Sequence, residues 1–216
     1  MRIVIAEDEE MFRDVMRYVC ITEFGHHVAG LAADGEAATA LTIAEKPDVL
    51  LLDLEMPKHD GFDVIRAVRP SCPLTSIIAV SSYRGSYTLF RVERAGFDGY
   101  IDKGSNSISA IRYALAAAAQ GQRYFSPTFV AARDARRRDP RSFDKVLSDR
   151  ELEVLTLIGL AMNDEEIGHQ LDICARTAET FRHRILKKLG VAGTPKLIRF
   201  AIELGFAQIP ARLPQA

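Results

Sequence analysis

The sequence predicts an α/β fold built on a parallel sheet, followed by a small all-α domain, and three observations carry that expectation. Apolar runs recur with strand–helix spacing through the first part of the chain, as strands covered on both faces do. From Leu147 onward, strand signals vanish and helix starts follow one another closely. Between the two parts, Arg133 to Lys145 reads RDARRRDPRSFDK, a basic stretch with little apolar periodicity, which is the pattern of a connector.

The first run, IVIAEDE from Ile3 to Glu9, closes on Glu7 and Asp8. A second, VLLLDLEMP from Val49 to Pro57, delivers Asp53. In open parallel sheets the ligand crevice lies beyond the carboxyl ends of the strands, so these acids share one edge. Clustered carboxylates repel one another unless a cation sits among them, and an oxygen-only set that retains water suits Mg²⁺. A third run, SIIAVSS from Ser76 to Ser82, ends in hydroxyls, and a fourth, FDGYIDK from Phe97 to Lys103, ends in an amine. A metal, a carboxylate nucleophile, a hydroxyl and a lysine are the groups that hold and neutralise a transferring phosphoryl group. YALAAAAQG, from Tyr113 to Gly121, reads as a helix with a terminal glycine that closes the domain.

On these residues, positions 1–121 resemble the receiver domain of two-component response regulators, a five-stranded parallel, flavodoxin-like fold. The resemblance implies Asp53 as phosphoacceptor and Mg²⁺ held by Glu7, Asp8, Asp53 and the backbone carbonyl of Glu55. It implies Ser81 as the switch hydroxyl, Lys103 as the phosphate-contacting lysine, and Tyr100 as a switch aromatic that rotates inward on phosphorylation. Two departures stand out. Gly104 follows Lys103 where many receivers have proline, and Glu55 and Tyr83 occupy positions that tune water access to the acyl phosphate.

After a linker, 122–145, the second domain spans 146–216. Ser148 and Glu151 form a capping box ahead of Leu152, Leu155 and Ile158. Asn163 with Glu166 starts a helix carrying Ile167 and Leu171; a third runs from Ala175 to Leu189; Thr194 and Pro195 open a fourth that ends at Gly205. Such close pairs of helices present side chains to the major groove. LSDRELEVL, EEIG and RTAETFRHRILKKLG resemble the LuxR-type helix-turn-helix of the NarL and FixJ family. That resemblance implies a four-helix domain binding double-stranded DNA. Glu179, Thr180 and His183 fall at base-reading positions, Glu179 more as the orienter of a neighbouring arginine. Arg182, Arg184, Lys187 and Lys188 fall at phosphate-contacting ones, with Arg176 and Thr177 at the start of the recognition helix. Periodicity assigns Ala178, Phe181, Ile185 and Leu189 to the core. Cys174 stands where a serine commonly caps, so the cap should be weak.

Composition agrees with this division. The chain has 216 residues, is 48% hydrophobic, and balances 28 basic against 29 acidic residues for a net charge of −1. Its cysteines, Cys20, Cys72 and Cys174, lack metal-ligand spacing, so free thiols in a reducing cytoplasm are expected. The first strand begins too early for a signal peptide, and no apolar stretch is long enough for a bilayer span. From Leu147 on, basic and acidic residues are equal in number, so a single copy should hold DNA poorly and a homodimer should hold it better. The expected function is therefore a transcription factor, not primarily an enzyme, in which phosphoryl transfer from a histidine kinase to Asp53 controls dimerisation and DNA binding. The alternatives are an adaptor whose helical domain binds protein, and a Mg²⁺-dependent aspartyl phosphatase.

Overall fold

The computed structural model describes residues 1–104 and 107–207. The chain divides into two compact units, one formed by Met1–Arg84 and Leu89–Ala131, the other by Gly85–Thr88 and the residues from Ala132 onward.

The first unit is a parallel sheet wound with helices. Its elements in chain order are β1 (Arg2–Ala6), α1 (Glu10–Tyr18), β2 (His27–Ala32), α2 (Gly35–Glu45), β3 (Val49–Asp53), α3 (Gly61–Val68), β4 (Ser76–Ser81), α4 (Ser86–Ala95), β5 (Gly99–Asp102), α5 (Ser107–Ala119) and β6 (Tyr124–Phe125). The strand order is β2-β1-β3-β4-β5-β6, parallel throughout. Every residue of β3 is buried, as a strand covered on both faces requires. The order reverses direction at β1, which places the crevice of such a sheet above the carboxyl ends of β1 and β3. Acids outside that crevice do ordinary work: Asp34 accepts the Ala37 N–H and Asp60 the Asp63 N–H, capping α2 and α3.

The sheet has a sixth strand beyond the five expected. Tyr124 and Phe125 pair with Gly99 and Tyr100 and so cover the hydrogen-bonding edge that β5 would otherwise expose. The rest of the expected linker is also ordered, as α6 (Pro127–Arg138) and α7 (Phe143–Val146). Ser126 starts α6, its hydroxyl accepting the Phe129 N–H at 3.3 Å.

The second unit is helical, with α8 (Asp149–Gly159), α9 (Asp164–Leu171), α10 (Ala175–Leu189) and α11 (Thr194–Glu203). Both expected capping boxes form, Ser148 with Glu151 and Asn163 with Glu166. The turn from α9 to α10 is tight: Asp172 takes a left-handed conformation at φ 54°. A Cβ on Gly168 would lie 2.7 Å from the carbonyl oxygen of Ile173, so the glycine of EEIG lets the turn pass. Cys174 begins α10 without a side-chain cap.

Candidate functional site

The carboxyl ends of β1, β3 and β5 bring Glu7, Asp53 and Lys103 together. Asp53 is the last residue of β3 and only 5% exposed, while Glu7 is wholly buried. Asp8 is exposed, and one carboxylate oxygen from each of the three acids lies within 4.8 Å of the others. Lys103 Nζ sits 2.7 Å from Asp53 Oδ2 and 2.8 Å from Glu7 Oε1. The lysine is thus held by two buried carboxylates, and its ammonium also lies 4.8 Å above the ring of Phe12. Arg13 fixes the loop that carries the acids by donating to the carbonyls of Glu7, at 2.8 Å, and Asp8, at 3.3 Å. Phe12 and Arg13 carry no sequence signal of their own; they matter because α1 starts directly after the acid pair.

The electrostatics follow from crowding in a dry place. Burial, and then the charge of Asp53, push the Glu7 carboxyl up to about 7. Burial also raises Asp53, against the opposing pull of Lys103. Burial disfavours the Lys103 ammonium, but Asp53 and Glu7 outweigh it and raise the amine above its ordinary value. Glu7 Oε2 lies 2.7 Å from Lys103 Nζ, yet it is a buried oxygen without an aligned hydrogen bond. A buried oxygen with unused lone pairs, beside two further carboxylates, fits a hard divalent cation.

Ser81, at the end of β4, is buried and its hydroxyl accepts the Tyr83 N–H at 3.1 Å. Burial raises the Glu55 carboxyl, opposed by the nearby Tyr83 hydroxyl, so the two positions noted as departures are neighbours. Glu55 also donates its backbone N–H to Asp53 Oδ1 at 3.2 Å. The Tyr100 ring is already inward. It is 1% exposed, its hydroxyl donates to the carbonyl of Tyr83, and its centroid lies 5.4 Å from that of Phe129, which covers it. This is the inward position that the resemblance assigns to the switch aromatic after phosphorylation.

In the second unit, α10 turns Arg176, Glu179, Thr180, His183, Arg184, Lys187 and Lys188 to solvent, with Thr177 half-buried. Ala178 and Ile185 are buried and Phe181 and Leu189 half-buried, which is the stripe expected from periodicity. Two expectations are corrected. Arg182, expected at a DNA phosphate, is 8% exposed; its Nε pairs with Asp164 Oδ1 at 2.8 Å and its Nη2 donates to the carbonyl of Met162 at 3.1 Å. It lies four residues after Ala178 and three before Ile185, on the core face, so its charge is spent on α9. Glu179 Oε1 lies 3.8 Å from His183 Nε2, and no arginine among the described residues pairs with it. Lys188 is shared as well, 42% exposed and 2.7 Å from the buried Glu151.

Comparison with known proteins bears on both units. Residues 3–115 match the family described as response regulator receiver domain, and residues 145–201 match bacterial regulatory proteins of the luxR family. The chain belongs to the response regulators. It is 30% identical to the uncharacterized transcriptional regulatory protein YxjL of Bacillus subtilis, covering 96% of this chain and 97% of that one. It is likewise 30% identical to the oxygen regulatory protein NreC of Staphylococcus aureus, over 94% of this chain and 97% of that one. Among solved structures, RcsB from Salmonella enterica serovar Typhimurium, bound to the promoter P1flhDC, shares the fold. Its TM-score is 0.67 at 23% identity, with 94% of this chain and 98% of that chain covered. A LuxR-family response regulator from Aurantimonas sp. SI85-9A1 gives a TM-score of 0.60 at 26% identity, covering 64% of this chain and 98% of that one. This response regulator therefore joins a receiver domain to a LuxR-family regulatory domain, and no helix among its described residues is long and apolar enough to cross a membrane.

Proposed function

We propose that this response regulator takes a phosphoryl group from a histidine kinase onto Asp53 and converts that event into a change of DNA affinity. The observation that carries the reading is Lys103 Nζ, just past the end of β5, placed 2.7 Å from Asp53 Oδ2 at the end of β3, across the intervening β4. An Asp53 carboxylate oxygen attacks phosphorus; the new O–P bond forms as the N–P bond of the donor phosphohistidine breaks, and the imidazole nitrogen leaves with the electron pair. Lys103 is positioned to meet the phosphoryl oxygens, and Ser81 offers a hydroxyl from β4. Glu7, Asp8, Asp53 and the carbonyl of Glu55 are the groups that would hold Mg²⁺, which when bound neutralises phosphoryl charge.

The Tyr83 and Glu55 side chains stand near Asp53, where they bear on how water reaches the acyl phosphate. The exposed residues of α10 supply the DNA contacts. Thr180, His183 and Glu179 face the bases, and Arg176, Arg184 and Lys187 face the backbone. Thr177 and Lys188 flank them. A phosphorylation-driven homodimer, working in the cytoplasm, would match a two-fold operator.

Labelling with radioactive acetyl phosphate and Mg²⁺ tests the first step. Wild type should label and Asp53→Asn should not, because the amide keeps the shape but is no nucleophile. Persistent labelling of the folded variant would overturn the assignment. Binding to genomic fragments with and without acetyl phosphate tests the second step, and an affinity that ignores the phosphodonor, or no DNA binding at all, would overturn it.

A further inference from the structure

Next to the phosphoacceptor pocket lies a buried charge that the transfer chemistry leaves unused. Asp102 ends β5 directly before Lys103 and is 0% exposed. A carboxylate held out of water is costly unless it is paired and hydrogen-bonded, and partners reach Asp102 from the turn after β5, the loop after Ser81 and the start of α6. Its Oδ1 accepts the Gly104 N–H at 2.9 Å, which closes the turn that carries Lys103. Arg84, in the loop after Ser81, reaches it with two nitrogens, Nε at 2.9 Å from Oδ2 and Nη2 at 3.3 Å from Oδ1. Thr128, in the first turn of α6, donates its hydroxyl to Oδ2 at 3.1 Å.

The fit of these parts is specific. A Cβ on residue 104 would sit 2.5 Å from Arg84 Nη2, so Gly104 makes room for the guanidinium while giving its N–H to the carboxylate. Packing repeats the same connection through apolar groups. Tyr100, whose hydroxyl holds the carbonyl of Tyr83, rests against Phe129 one residue after Thr128, at 5.4 Å between ring centroids. The loop after Ser81 and the start of α6 are therefore joined twice, once through Asp102 and once through Tyr100.

We propose that Asp102 is a positioning residue that sets the Lys103 turn and links the loop after Ser81 to the start of α6, so that the response of that loop to phosphorylation reaches the helix leading out of the receiver. The proposal rests on Asp53 as the phosphoacceptor. When Ser81 is drawn toward a phosphoryl group, residues 82–84 move with it and Arg84 re-seats on the carboxylate. Thr128, the other tether on the same oxygen, then feels the change. Arg84 is the movable partner because its side chain is 55% exposed, whereas Asp102 is fixed from below by β5.

Hydrogen exchange on the full chain tests this, with Mg²⁺ and beryllofluoride as the phosphoryl mimic. In wild type, the mimic should change exchange both in residues 82–86 and in the first-turn amides of α6. Thr128→Val keeps the shape but removes the hydroxyl. It should raise basal exchange in that turn by about tenfold or more, the effect of losing the hydrogen bond to the carboxylate together with the 2.9 Å contact to the Ser126 hydroxyl. It should also keep the response of residues 82–86 and lose the response of α6. Thr128→Ser should restore that response, and Asp102→Asn should weaken it. A merely structural contact would shift basal exchange and leave the response intact, so an α6 response that persists in Thr128→Val overturns the proposal. Acetyl phosphate labelling of the same wild-type sample separates the two readings. Labelled Asp53 with an unresponsive α6 defeats the link alone, and an absence of labelling defeats both.

Discussion

Replacing Arg182 with alanine distinguishes a residue that builds the recognition helix from one that touches DNA. In the structure its guanidinium holds Asp164 at 2.8 Å and the Met162 carbonyl at 3.1 Å, with 8% of the residue exposed. A hydrogen bond to a charged group contributes about 1.5–3 kcal/mol, and stripping one partner from a fully buried ion pair costs about 3–5 kcal/mol. Asp164 does not meet the second condition. Its side chain is 30% exposed, and it is the first residue of α9, where the helix dipole favours an acid. The expected loss is therefore about 2 kcal/mol, at the lower range of these effects. At about 1.4 kcal/mol per tenfold, that is roughly thirtyfold faster exchange of the α9 and α10 amides. Because Arg182 faces α9, the salt dependence of DNA binding should not change, whereas each phosphate contact removed lowers the slope of log K against log salt by about 0.9. Exchange rates and a salt titration on the same variant decide the matter. Unchanged exchange together with a slope reduced by about 0.9 would show that the guanidinium lies on DNA and that the packing argument is wrong.

Further outcomes are expected for α10 and for the acidic pocket. Lys187→Ala should weaken binding to all sequences alike and lower the salt slope. Thr180→Ala or His183→Ala should instead change the preferred site in a selection experiment, a good base contact discriminating by about 1–3 kcal/mol. With Glu7 pushed up from 4.5 to about 7, the native state keeps a proton that the unfolded chain releases. Stability should then fall as pH rises through that window and level off above it, a slope that Glu7→Gln reduces, the remainder coming from Asp53, which burial also raises. Since a cation requires the ionised carboxylate, Mg²⁺ affinity should rise across the same window in wild type, as titration calorimetry at several pH values would show. Cys174→Ser should supply the side-chain cap that α10 lacks and stabilise the second unit by about 1 kcal/mol in urea denaturation; no change would mean that the backbone at that position cannot accept a cap.

Much of the site was legible because strands of a parallel sheet all present their carboxyl ends at one edge, so Glu7, Asp8, Asp53, Ser81 and Lys103 could be grouped without knowing a distance. The capping boxes at Ser148 and Asn163 were legible for a similar reason: they are local and need only three residues of spacing. β6 escaped because two aromatic residues make no alternating pattern; Tyr124 and Phe125 become a strand only when β5 offers an edge. α6 escaped because its arginines mask its apolar face, and only the structure shows Arg136 buried against Asp144, 3.3 Å away. Arg182 was misplaced because charge was given more weight than position, although its spacing from Ala178 and Ile185 puts it on the core face. Tyr83 and Glu55 come close from two loops far apart in sequence, and no local rule connects them.

The placement of β6 and Thr128 has a practical consequence for anyone dividing this protein. A fragment cut at Gly121, where α5 ends and the sheet looks complete on paper, would bare the outer edge of β5 and strip Asp102 of one of its tethers. Such an edge invites strand pairing between molecules. A fragment carried through Ala131 keeps the short strand, the Phe129 cover over Tyr100 and the Thr128 hydroxyl. The natural place to part the chain lies inside α6, beyond the point that helix and glycine signals mark.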